Sequence, residues 1–380
     1  MIIGCYANVY ILPISDSLTF HQMGIDEFNL LFQNPHEYLI NIFHTNSPEA
    51  YTRLLDDSNS FWNNLRTNLL AKMLSIFNFF SLQSFLINTL FFNFLIFFGC
   101  IAFYKTFIKI FPNSFYQLVI CIFLLPSASF YSAMIHRDGL ILLALSMILY
   151  HVFCILHEHH FSWKRISILT FFLLLIFLLR NFVFIALIPA LLAWILSKKF
   201  PKHTFLCFLG VYVITTILFF SSGFISSRTD LPKYVSSRQQ SFIRIGNSGN
   251  STIEINKLYP TFKSFLFNAP QALNHSLMRP YLSEIVSIYY IPFAVEILLM
   301  EILLIIFLLY KKQKIIIHPA IYFGIFLSLT ILLMTGYTIP ILGAIVRYRS
   351  IYFIFLLIPI TCYTDWKKIQ KTFKFRWIKN

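Results

Sequence analysis

The chain is 380 residues long, 58% hydrophobic and only 12% charged, with a mean hydropathy of +0.71, which excludes a soluble domain with a charged surface and implies an integral membrane protein. Its formal charge is +15, from 30 Lys and Arg against 15 Asp and Glu; in a multi-pass chain this is the expected basic excess of cytoplasmic loops. No basic run is interleaved with a base-reading motif, so nucleic acid is not a predicted partner.

Residues 1–13, MIIGCYANVYILP, hold about a dozen apolar residues before Pro13, short of the roughly 20 a spanning helix needs. They lack the basic start and small-residue cleavage pattern of a signal peptide and read as the end of a first spanning helix, cut short by a misplaced start codon. Residues 14–81 are polar and mixed. They close on NNLRTNLLAKMLSIFNFF, where Arg66 and Lys72 interrupt an apolar helical pattern, which suits interfacial helices within a loop region.

Apolar runs follow at 82–104, 115–130, 139–156, 166–179, 181–195, 204–220, 285–310, 315–337 and 341–363. With the partial first helix they predict an all-α polytopic transmembrane helix bundle of about nine to ten spans. Its first part covers 82–220 and its second 285–363, with a basic tail at 364–380. The two runs flanking Arg180 are alternatively one broken or re-entrant unit. Between the two parts, residues 221–284 form a second loop region. It begins Ser-, Arg- and Gln-rich, reads as a short hairpin with a Gly-Asn turn in IRIGNSGNSTIEI, and ends in an amphipathic helix before Arg279 and Pro280.

Lys105 and Lys109, Lys164 and Arg165, Lys198, Lys199 and Lys202, Lys311, Lys312 and Lys314, and the tail KKIQKTFKFRWIKN fall on one set of connections. The alternate short connections hold only Arg137, Arg180, Arg347 and Arg349. The tail is therefore predicted to be cytoplasmic and the loop regions 14–81 and 221–284 extracytoplasmic.

In that register the polar outliers converge on the outer side: Asp16, His21, His136, Arg137, Asp138, Arg180, Arg279, Glu284, Arg347 and Arg349. Asp16, in DSLTFH, is placed to act as a general base on a sugar hydroxyl; as a helix N-cap it needs no chemistry. In the run His136-Arg137-Asp138, Arg137 can bind a phosphate while Asp138 positions it or binds a divalent cation; the plain alternative is a helix cap with a headgroup anchor. Arg180 stands alone in a long apolar stretch and needs water, a partner or a lipid phosphate. Arg279 with Glu284 in RPYLSE, and Arg347 with Arg349 in IVRYRS, add charge on the same side, although two arginines two residues apart cannot share one helical face.

The His157-Glu158-His159-His160 run has metal-capable residue types without metal-ligand spacing and reads as a solvated loop, so no metal site is assigned. GNSGNS reads as a turn, and Glu296 and Glu301, within a span, receive no role. Cys5, Cys100, Cys121, Cys154, Cys207 and Cys362 stand singly in apolar stretches and read as small buried hydrophobes.

The stretches PSASFYSAMIHRDGLILLALSMILY, LLRNFVFIALIPALLAW, ALNHSLMRPYLSE and GAIVRYRS resemble bacterial polysaccharide-related polytopic membrane proteins, and DSLTFH resembles the first extracytoplasmic loop of GT-C glycosyltransferases. The resemblance implies sugar transfer from a polyprenyl-phosphate-linked donor to a glycan or lipid acceptor at the outer face of the cytoplasmic membrane. Asp16 would be catalytic, with His21 and Asp138 in the same set, and arginines such as Arg180 and Arg347 would hold the phosphate, with no cofactor beyond a divalent cation at most. The alternatives are a polysaccharide polymerase, a transporter or flippase, and a non-catalytic assembly component.

Overall fold

The computed structural model describes residues 16–44, 61–225, 230–246, 251–285, 287–313 and 315–377; the partial helix expected over 1–13 and the tip of the expected hairpin at 247–250 lie outside them. The described residues are helical, with no strand and two isolated bridges, Thr252 to Ile341 and Lys311 to Thr364. In chain order the α-helices are α1 (Asp16–Gln33), α2 (Pro35–Ile40), α3 (Phe61–Ser81), α4 (Phe85–Ile110), α5 (Phe115–Phe123), α6 (Pro126–Ala133), α7 (Arg137–His157) and α8 (Trp163–Leu179). There follow α9 (Asn181–Lys199), α10 (Thr204–Ile225), α11 (Leu231–Gly246), α12 (Phe262–Met278), α13 (Ile291–Tyr310), α14 (Pro319–Thr338), α15 (Leu342–Tyr363) and α16 (Trp366–Trp377).

Among the described residues seven stretches of helix are long and apolar enough to cross a membrane: α4, α7, α9, α10 with the turn before it, α13 with the turn before it, α14 and α15. Two expected spans take another form. The run at 115–130 is α5 and α6, bent by 46° where Pro126 opens the second helix; proline fits a first helical turn and biases the residue before it away from helix. The run at 166–179 is α8, only 17 residues long. The expected hairpin also differs: Ile243–Gly246 belong to α11. The alternation that suggested a strand there is too short to decide against a strongly amphipathic helical period.

The chain divides into two compact units, residues 1–105 with 129–184, and residues 106–128 with 185–380. In the first, α1 packs along α3 and α7 along α8. Leu70 and Leu74 of α3 are fully buried, and a polar seam ties α1, α3 and α4. In that seam the Asn88 amide donates to Asn78 Oδ1 at 2.6 Å, and the Asn78 amide donates to the Gly24 carbonyl at 3.0 Å. Helix α4 approaches α7 closely because residue 139 is glycine: a Cβ there would run into the side chains of Ile96 and Phe92.

In the second unit α14 packs against both α12 and α15. Gly336 of α14 faces the backbone of Ala272 in α12, with no room for a Cβ. Ser328 of α14 donates to the Tyr352 carbonyl of α15 at 3.0 Å.

Candidate functional site

The first unit gathers a cluster at the N-terminus of α7. His136 is the N-cap residue, in extended backbone, and Asp138 lies in the first turn, where the helix dipole favours a carboxylate. Asp138 is 1% exposed. Its Oδ1 receives the Arg180 guanidinium at 2.6 Å, and its Oδ2 lies 2.7 Å from His136 Nδ1. The same Nδ1 is also 3.4 Å from the Asp138 N–H. One ring nitrogen cannot donate and accept at once, and the short contact to an ionised carboxylate selects the tautomer with the proton on Nδ1. That leaves Nε2 as the open edge of the ring. It points to Asp16 Oδ2 at 3.5 Å, and the Asp16 side chain is 62% exposed.

Four segments build this arrangement. Helix α1 starts at Asp16 and brings Phe20 edge-on to the His136 ring, with centroids 5.8 Å apart. Helix α3 contributes Thr67, whose hydroxyl accepts from Arg137 at 2.9 Å, and the Arg137 guanidinium lies over Phe20 at 5.2 Å. The turn before α7 is fixed by Asn93, which donates to the Ala133 carbonyl at 2.8 Å. Arg180 comes from the extended break between α8 and α9, which brings the lone arginine of that apolar stretch onto the α7 N-terminus. The order is thus Asp16, His136, Asp138, Arg180: an exposed acid, a buried imidazole, and a buried acid held by a cation.

His21 belongs to the neighbouring seam. It is buried, accepts from the Asn88 amide at 3.2 Å and packs edge-on against Phe85. Burial lowers its pKa below the usual imidazole value, opposed by a hydrogen bond to the Gln83 backbone. It is a neutral structural imidazole rather than a group presented to substrate.

Arg279, Glu284, Arg347 and Arg349 belong to the second unit. Arg349 is fully buried, and its guanidinium donates to the carbonyls of Ser276 and Arg279, covering the open C-terminal end of α12. Arg279 pairs with Glu284 at 3.3 Å. Arg347, partly exposed, lies over the Tyr348 ring at 5.4 Å, so the two arginines of IVRYRS do differ in their surroundings.

Two acids, Glu296 buried and Glu27 partly buried, had no function assigned in the sequence. Glu296, within α13, accepts from both the backbone N–H and the hydroxyl of Ser127 at 2.6 Å each, capping the N-terminus of α6 at the bend. Glu27 of α1 pairs with Lys72 of α3, whose ammonium also meets the Tyr38 carbonyl and ring. For Glu296 the available signal was a charge within an apolar helix; Glu27, beside Asp26 in a mixed stretch, gave none.

The divalent cation entertained for Asp138 does not fit. Both carboxylate oxygens already face a donor, and among the described residues no three His, Cys, Asp or Glu side chains are grouped to hold a metal ion. The arrangement is suited instead to moving a proton: Asp138 orients the His136 ring, and the Nε2 edge opens toward the exposed Asp16. Comparison of the chain with protein-family models, with curated proteins and with solved structures gives no match.

Proposed function

We propose that the protein is a membrane glycosyltransferase of GT-C type, moving a sugar from a polyprenyl-phosphate donor to a cell-surface glycan or lipid at the outer face of the cytoplasmic membrane. The observation that carries this reading is the Asp16, His136, Asp138, Arg180 series at the end of a membrane-length helix. In this reading the basic connections and tail lie in the cytoplasm, α8 and the α5–α6 pair complete the set of nine spans, and the α7 N-terminus faces outward.

The acceptor hydroxyl attacks the sugar C1 as the bond from C1 to the phosphate oxygen breaks, with inversion. Asp16, the exposed acid, takes the hydroxyl proton, and His136 Nε2 receives it in turn. Asp138 is a positioning residue that acts through His136, and the Arg180 guanidinium pairs with its other oxygen. Arg137, partly exposed and flanked by His136 and Asp138, supplies positive charge for the departing polyprenyl phosphate.

Membranes containing the protein, charged with polyprenyl-phosphate-linked radiolabelled sugar from the host, test this directly. Asp16→Asn is expected to lower transfer about 100-fold or more, while donor binding persists. Unchanged transfer in Asp16→Asn would overturn the assignment. Polymerisation of lipid-linked repeat units that tolerates Asp16→Asn would replace it with the polymerase reading.

A further inference from the structure

In the second unit α12 is held from one side only. Phe265 and Ala272 pack with Val235 of α11, with Leu258 and with Tyr337 of α14 in one buried cluster, and the Tyr337 hydroxyl donates to the Phe265 carbonyl at 2.6 Å. That contact fixes the rotation of the helix. The helical period then turns Leu266 and Phe267 away from the core, with Phe262 and Lys263 one turn before them. Phe262, Leu266 and Phe267 are 56%, 59% and 72% exposed. Three large apolar side chains laid bare within two turns mark an interaction surface rather than a wetted one.

Helix α11 gives the contrast. It too packs on α14, yet over residues 231–244 its exposed positions are, apart from Tyr234, the polar Lys233, Ser237, Gln240 and Arg244. What adjoins the α12 face is α10, which with the turn before it is long and apolar enough to cross a membrane and is almost nowhere buried in the protein. A helix apolar all round and bare of protein contacts has lipid about it. Phe219 and Phe220 lie in its last two turns, within about 9 Å of its end. Phe220 meets Phe262 and Phe265 edge-on, with centroids 5.2 and 5.3 Å apart, so the apolar surface of α10 runs on through Phe262 to Leu266 and Phe267. The basic residues fit the same boundary: the Lys263 ammonium lies over Phe267 at 5.9 Å and that of Lys257 over Tyr259 at 5.4 Å. No acidic residue occurs from Lys257 to Met278.

From this we infer that α12 is an interfacial helix, seated on the phospholipid bilayer where α10 leaves it. Phe262, Leu266 and Phe267 enter the boundary between headgroups and acyl chains, and Tyr259 sits at headgroup level. The stems of Lys257 and Lys263 lie along the rings while their ammonium groups reach the lipid phosphates. The surface shares no residue with the His136 cluster, and its test does not depend on sugar transfer.

An added tryptophan reports which medium covers the face. Full-length Phe267→Trp and Gln240→Trp are placed in nanodiscs of phosphatidylcholine brominated in the upper acyl chain, and the emission of the wild type, with its five tryptophans, is subtracted. The added emission of Phe267→Trp is expected to fall about twofold or more with the brominated lipid and to change little with aqueous iodide, since such a face reaches 5–10 Å below the headgroups. Gln240→Trp, on the polar side of α11, is expected to respond to iodide and not to the lipid. Leu266→Trp replaces Phe267→Trp if the latter does not fold. The proposal is overturned if the α12 tryptophan responds as Gln240→Trp does, or if neither quencher reaches it, as a second copy or another protein covering the face would require.

Discussion

His136 stands between two carboxylates, and the proton on its Nδ1 decides what it can do. With Asp138 at 2.7 Å fixing that proton, Nε2 is left to work toward Asp16. His136→Gln, which keeps a polar side chain but cannot relay a proton, is expected to lower transfer by about 100-fold or more without loss of the fold, measured in the same membrane assay. Asp138→Asn acts on both neighbours, because the Arg180 guanidinium at 2.6 Å would face a neutral amide in a buried place. Breaking a buried pair from one side costs roughly 3–5 kcal/mol, so thermal unfolding of Asp138→Asn should show a clear loss, whereas Asp16→Asn at the exposed end should not. The run His136-Arg137-Asp138 and the lone Arg180 were each visible in the sequence as charges out of place. Their pairing was not, because periodicity ranks residues by face and carries no distance between elements. The partners of Arg349 were not legible for a related reason: they are backbone carbonyls, which leave no side-chain signature.

At the scale of elements, α12 carries two predictions. Gly336 of α14 lies so close to the Ala272 backbone that Gly336→Ala must push the helices apart, and overpacking of this kind costs roughly 1–3 kcal/mol, read as a lower unfolding midpoint. His275 of α12 is buried, and burial, reinforced by the nearby Arg279 charge, takes its pKa from 6.5 down to about 4. As the pH falls below 6.5 the unfolded chain takes up the proton first, so stability is full above 6.5 and declines down to about 4. His21 in α1, also lowered by burial, acts with the same sign. Unfolding midpoints measured across that window should fall with pH in the wild type and fall less steeply in His275→Leu. The amphipathic helix before Arg279 was legible from its apolar spacing. The bend between α5 and α6 was not, because both sides of Pro126 are apolar and the cap comes from Glu296, 169 positions away from Ser127.

Over the whole molecule, composition alone pointed to the class: seven helices long and apolar enough to cross a membrane lie among the described residues. The long runs were legible because a spanning helix announces itself by length and hydropathy; α8, at 17 residues, and the bent pair fell near that limit. The central claim is that sugar transfer runs through Asp16 and His136, and glycan profiling of the host strain carrying wild type, Asp16→Asn or Arg180→Ala tests it most directly. The account predicts that both variants lose one sugar addition and accumulate the unmodified acceptor. A silent Asp16→Asn, with Arg180→Ala leaving single unpolymerised repeats, would contradict it.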